Sequence, residues 1–94
     1  MELTQYLKTE GYYALTTIDG KLCGLHRFAF TVGLVVGLER TGYERRYCYE
    51  AESDALESLL TWDGKDHPSG NWIKCKGTYK GVVGDIPNPN SENQ

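Results

Sequence analysis

Apolar residues recur along this chain with two different periods, and the changes of period divide it into elements. Leu3, Tyr6 and Leu7 stand at i, i+3 and i+4 within Glu2 to Glu10, and Gly11 follows where a left-handed residue ends a helix. The spacing predicts a short N-terminal helix. Tyr12 to Ile18 is aromatic and β-branched, and it runs into Asp19-Gly20, the dipeptide that most favours a two-residue hairpin turn. Lys21 to Arg40 is too long for one average strand and carries Gly24, Gly33 and Gly37, so two strands with a bend near Ala29 to Gly33 are expected.

After a turn at Thr41-Gly42, Tyr43, Arg45, Tyr47 and Tyr49 alternate with Glu44, Arg46, Cys48 and Glu50, which is strand periodicity. Ala55, Leu56, Leu59, Leu60 and Trp62 then cover one side of a helix over residues 51–62, stopped by Asp63-Gly64. Lys65 to Asn71, with Pro68 and Gly70, is a loop, and Trp72 to Tyr79 has the alternation of a last strand. Residues 85–94, with Pro87 and Pro89, offer little to bury and are expected as a flexible tail to a single domain over 1–84. The expected fold is α+β: an antiparallel sheet of about four strands packed on one main helix, with the short N-terminal helix beside it. Leu15, Phe28, Phe30, Leu34, Val36, Leu56, Leu59, Leu60 and Trp62 are the expected core.

Composition sharpens this picture. Leu, Ile, Val and Phe total only 20 of 94 residues, close to where chains fail to fold, but seven Tyr and two Trp add large apolar bodies. A chain of this length buries roughly 60–70% of its unfolded surface, enough for one core. The net charge of −3 disfavours nonspecific attraction to nucleic acid or anionic lipid. Three cysteines are too few and too odd in number for a disulfide framework, and the first ten residues lack the pattern of a signal peptide. A cytoplasmic protein with reduced thiols and no membrane partner is expected.

Candidate chemistry is sparse. Cys23-x-x-His26 with Cys48 and Cys75 has the donor types of a Cys3His zinc site, but only one pair is closely spaced, and buried structural thiols are the simpler account. No metal and no cofactor is expected. With two histidines and no nucleophile elbow, HExxH, Walker A or GxGxxG pattern, catalysis is not expected either. His67 falls in a polar loop, where a solvated histidine is the ordinary outcome.

Two surface arguments remain. Arg45, Tyr47, Tyr49, Trp72 and Lys74 combine strand aromatics with cations, the means by which single-strand nucleic-acid binders stack bases and follow a backbone. Against this, aromatics alternating on a strand most often face a core. The opposite charge is more ordered. Glu50, Asp54 and Glu57 fall on one stripe of the second helix, and residues 50–66 hold six acids and one lysine, a local charge of −5 against +2 elsewhere. Glu50, Asp54 and Glu57, with Asp63 and Asp66 nearby, form a surface complementary to a basic patch on a partner. A solvated helix face is the bland alternative.

The runs Phe28-Ala29-Phe30-Thr31-Val32-Gly33-Leu34-Val35-Val36-Gly37-Leu38, Arg46-Tyr47-Cys48-Tyr49-Glu50, Trp62-Asp63-Gly64 and Pro68-x-Gly70-x-Trp72-Ile73-Lys74 together resemble a family of small uncharacterised proteins from bacterial genomes and mobile elements. In size and charge the chain is similar in character to phage accessory proteins that inhibit bacterial defence, anti-CRISPR proteins among them. The expected function is a noncatalytic protein-binding module, an inhibitor of a host defence nucleoprotein complex acting through its acidic surface. The alternatives are a single-stranded nucleic-acid binder and a homodimeric housekeeping subunit whose glycine-rich strand edge at Gly33 to Leu38 pairs with itself.

Overall fold

A computed structural model describes residues 2–88. The elements are α1 (Leu3–Thr9), β1 (Tyr13–Ile18), β2 (Lys21–Arg27), β3 (Val32–Val36), β4 (Arg45–Tyr49), α2 (Glu52–Thr61), β5 (Lys74–Tyr79) and β6 (Val82–Pro87). The strands form one antiparallel sheet in sequence order, a six-stranded meander. This corrects the expected four strands on one main helix: the molecule is mostly sheet, and both helices are short. The extra strand arises at Lys80-Gly81, where both residues sit at positive φ (49° and 81°) and Tyr79 pairs with Val82. That is the backbone a two-residue hairpin turn requires. Lys-Gly signals it far less clearly than the Asp19-Gly20 pair, which turns β1 into β2 with φ of 51° and 78°. Asp85 to Pro87, expected in a flexible tail, lie in β6; residues 89–94 fall outside the described residues.

The register decides what lies inside. Leu25, Leu34, Tyr47, Cys75 and Ile86 are successive cross-strand partners from β2 to β6, and Cys23, Val36, Arg45 and Gly77 form the next row. Both rows share the face on which α2 packs through Ala55 and Leu59, and the resulting core also includes Tyr49 and Trp72. On the opposite face Val35 and Leu38 meet Leu7 of α1. β3 is buried along its whole length because it is central and covered on both sides, which explains its near-continuous apolar run. It is hydrogen-bonded to β2 and β4, so the stretch expected to supply a self-pairing edge has no free edge along β3.

Other core expectations need correction. Phe30 is 93% exposed because it occupies the β2–β3 connection, where the amide of Phe28 donates to the Thr31 carbonyl at 2.8 Å. Leu60 and Leu56 are 73% and 38% exposed, since the inward face of α2 is the narrower strip Ala55, Ser58 and Leu59. β1 carries an irregularity between Tyr13 and Thr16, with Ala14 at φ 54°.

Candidate functional site

The outer face of α2 follows from how the helix is anchored. Ala55 and Leu59 seat it on the sheet, and the Glu52 carboxylate accepts from the Tyr13 hydroxyl at 2.7 Å and pairs with Arg27. At 100° per residue this turns Glu57 outward, leaves Asp54 half-buried beside it, and places exposed Glu50 just before the helix. Asp54 and Glu57, with Ser58, Thr61 and Asn71, line a polar recess of about 160 Å³ against the loop at residues 69–71. Ser58 Oγ donates to the Ser69 carbonyl at 3.0 Å and fixes that loop to the helix. Leu60 stands on the flank of the same helix that turns toward β1.

Four of the twelve acids among the described residues are ion-paired. Glu44 takes Lys21 at 2.8 Å and Arg45, Glu52 takes Arg27, Asp66 takes Lys80 at 3.0 Å, and Asp85 takes Lys74 at 3.8 Å. The other eight, Glu2, Glu10, Asp19, Glu39, Glu50, Asp54, Glu57 and Asp63, form no ion pair among the described residues, and four of them, Glu50, Asp54, Glu57 and Asp63, lie on or beside α2. Asp66 belongs to a different neighbourhood from these four. The Lys80 ammonium holds its carboxyl below the usual range, and the Tyr79 hydroxyl donates to it at 3.3 Å.

The nucleic-acid residues read from the sequence lie elsewhere. The alternation of β4 is present as expected, but the side carrying Arg45, Tyr47 and Tyr49 is the interior beneath α2. Tyr47 and Tyr49 are fully buried, Arg45 and Trp72 nearly so, and Lys74 is half-buried beside Asp85. Four of these five side chains are therefore not presented for stacking on bases. Burial pushes the Tyr49 phenol up to about 12 and that of Tyr47 higher still.

What assembles there is a polar cluster inside an aromatic box. Arg45 Nε donates to the Tyr47 hydroxyl at 3.0 Å, and that hydroxyl lies 2.9 Å from Nδ1 of His67. The Arg45 guanidinium sits 5.4–5.8 Å from the ring centroids of Tyr79, Trp62 and Tyr47. The His67 ring stacks on Tyr79 at 4.1 Å. Burial and the Arg45 charge hold the His67 pKa down. Sequence reasoning missed His67 because its loop is polar. The signal was Trp72, whose indole donates to the Pro68 carbonyl at 2.9 Å and folds the loop inward.

The cysteines do not converge with His26. Cys23 and Cys75 face α2, while Cys48 and His26 lie on the other side of the sheet, where His26 contacts the carbonyls of Glu10 and Arg27, each at 3.0 Å. Burial raises the Cys23 and Cys75 thiols. Among the described residues no group of three or more metal-ligating side chains occurs, and no helix is long and apolar enough to cross a membrane. Fold and surface together define a small antiparallel-sheet domain with an unpaired acidic helix face. The chain matches no family model, no curated protein and no solved structure.

Proposed function

We propose that the chain is a noncatalytic cytoplasmic protein-binding module that docks through the outer face of α2 onto a basic surface of its partner. The observation that carries this is a concentration of unpaired acids: Glu50, Asp54, Glu57 and Asp63, half of the eight described acids without an ion pair, lie on or beside α2. Like charges at helical spacing work mildly against folding, and a complementary partner removes that repulsion on binding. Tyr47 and His67, which could exchange a proton, are hydrogen-bonded to each other, with the Tyr47 hydroxyl fully buried and also held by Arg45, which supports binding over catalysis.

A basic surface of this kind is what a nucleoprotein complex presents to its nucleic acid. Small size, an acidic face and the resemblance to mobile-element proteins accord with an inhibitor of a host defence complex of the anti-CRISPR type. Affinity capture from bacterial extract, with and without nuclease and at two salt concentrations, tests this against a variant carrying Glu50→Lys, Asp54→Lys and Glu57→Lys. The expected result is a stoichiometric protein partner that survives nuclease and is lost both at high salt and with the variant. Recovery that depends on nucleic acid, or that the variant retains in full, would overturn the proposal.

A further inference from the structure

We infer that the groove between the end of β1 and the C-terminal half of α2 seats an apolar side chain carried on a basic segment of the partner. This deepens the docking function proposed above and rests on it. Ile18, Leu60 and Trp62 line the groove, which has a volume of about 330 Å³, over a floor at Leu59 and beside the polar residues Thr16, Thr17, Asp19 and Asp63. Leu60 is 73% exposed, although Leu59 beside it is part of the core. The Trp62 indole cannot swing away to fill the space: its Nε1 donates to the Lys65 carbonyl at 3.0 Å, and its ring meets Tyr47 edge-on at 5.7 Å.

Both walls are preset. Asp19 sits at φ 51° in the tight β1–β2 turn, and Gly64, at φ 87°, packs so closely on that turn that a Cβ there would lie 2.6 Å from Asp19 Cβ. A groove fixed on both sides spends little binding energy on ordering. Among the described residues neither carboxylate has a cation, and Asp63 Oδ1 accepts only the amide of Lys65, at 2.9 Å. A wholly apolar occupant would desolvate these carboxylates without compensation, and a purely basic one would leave the Leu60 wall wet. An aliphatic or aromatic residue flanked by Lys or Arg satisfies both, and the −5 charge of residues 50–66 repels an acidic segment.

The test uses the full chain, isotopically labelled, titrated with the short peptides GKRLKRG, GKRGKRG and GERLERG and read from the Ile18 and Leu60 methyl and Trp62 indole signals. The first peptide is expected to move these signals saturably and about tenfold more tightly than the second, and the third to leave them unmoved. Leu60→Asp, at an exposed position, and the pair Asp19→Asn with Asp63→Asn, which suits the turn, are each expected to weaken the first peptide about tenfold with the remaining spectrum unchanged. Shifts confined to Glu50, Asp54 and Glu57, with equal affinity for the first two peptides, would overturn the groove while leaving the docking face standing. Equal binding of the third peptide would overturn the requirement for a basic segment. No response to either basic peptide would overturn both the groove and the docking face.

Discussion

The Tyr47 hydroxyl and Nδ1 of His67 are hydrogen-bonded at 2.9 Å, joining β4 to a loop 20 residues further along the chain. On the other side of the phenol, Arg45 Nε donates to the same oxygen. A phenol oxygen can accept a second hydrogen bond or donate its own proton, so a neutral imidazole satisfies this contact in either tautomer. Protonating His67 adds a second cation beside Arg45.

A pH dependence follows. Burial first, and then Arg45, hold the His67 pKa below its ordinary 6.5, with Lys80 acting in the same sense, Asp66 in the opposite one, and the neutral rings of Tyr79 and Trp72 alongside. The unfolded chain therefore binds the proton at higher pH than the folded one. Stability from neutral His67 is complete above 6.5 and is lost as pH falls through the lowered folded value. Denaturant unfolding between pH 7.5 and 5 is expected to show this loss in the native chain and not in His67→Phe. Parallel curves would sink the assignment.

Tyr47→Phe leaves both Arg45 Nε and His67 Nδ1 without their partner while keeping the ring. It is expected to cost about 1–3 kcal/mol in equilibrium unfolding, the range for stranding a buried polar group. A change within about 0.5 kcal/mol would mean that water reaches the cluster.

Adjacent leucines on α2 should behave in opposite ways. Leu59→Ala empties core space between the helix and the sheet and is expected to cost about 2–5 kcal/mol. Leu60→Ala, at a site 73% exposed, is expected to change stability by no more than about 0.5 kcal/mol. Reversal of that order in a denaturant titration would mean the helix is rotated from the orientation described.

Gly77 faces Arg45 across β4 and β5 at φ 119°, and a Cβ there would lie 2.4 Å from the Glu44 carbonyl oxygen. Gly77→Ala is therefore expected to destabilise by more than about 1 kcal/mol. Thermal unfolding near the native midpoint would contradict this close approach.

Much of this architecture was legible in the sequence where short-range physics fixes it. Asp19-Gly20 turns the first hairpin, and Lys21 to Arg40 divides into two strands, but the stretch at Gly33 to Leu38 read as a pairing edge belongs to a central strand bonded on both sides. β6 was hidden because Lys80-Gly81 is a weak turn signal and because Val82 and Val83 are exposed at the sheet edge. At the candidate site helical spacing put Glu50, Asp54 and Glu57 on one stripe, but α2 begins at Glu52, so only Asp54 and Glu57 lie on the helix and Glu50 precedes it. Which acids were already paired was not readable, because Lys80 reaches Asp66, and Arg27 reaches Glu52, only after the chain has folded. The Arg–Tyr strand was read with the right alternation, but which side is buried depends on where α2 lands, and spacing within β4 does not encode that.

The central claim is that the outer face of α2 makes the first contact with a basic partner. Association of the captured partner with the native chain and with the Glu50→Lys, Asp54→Lys, Glu57→Lys variant, measured by stopped flow across ionic strength, tests it most directly. The native chain should associate faster at low salt and slow steeply as salt rises, while the variant should be slow with a flattened dependence. Equal rates and equal slopes for the two proteins would contradict the claim.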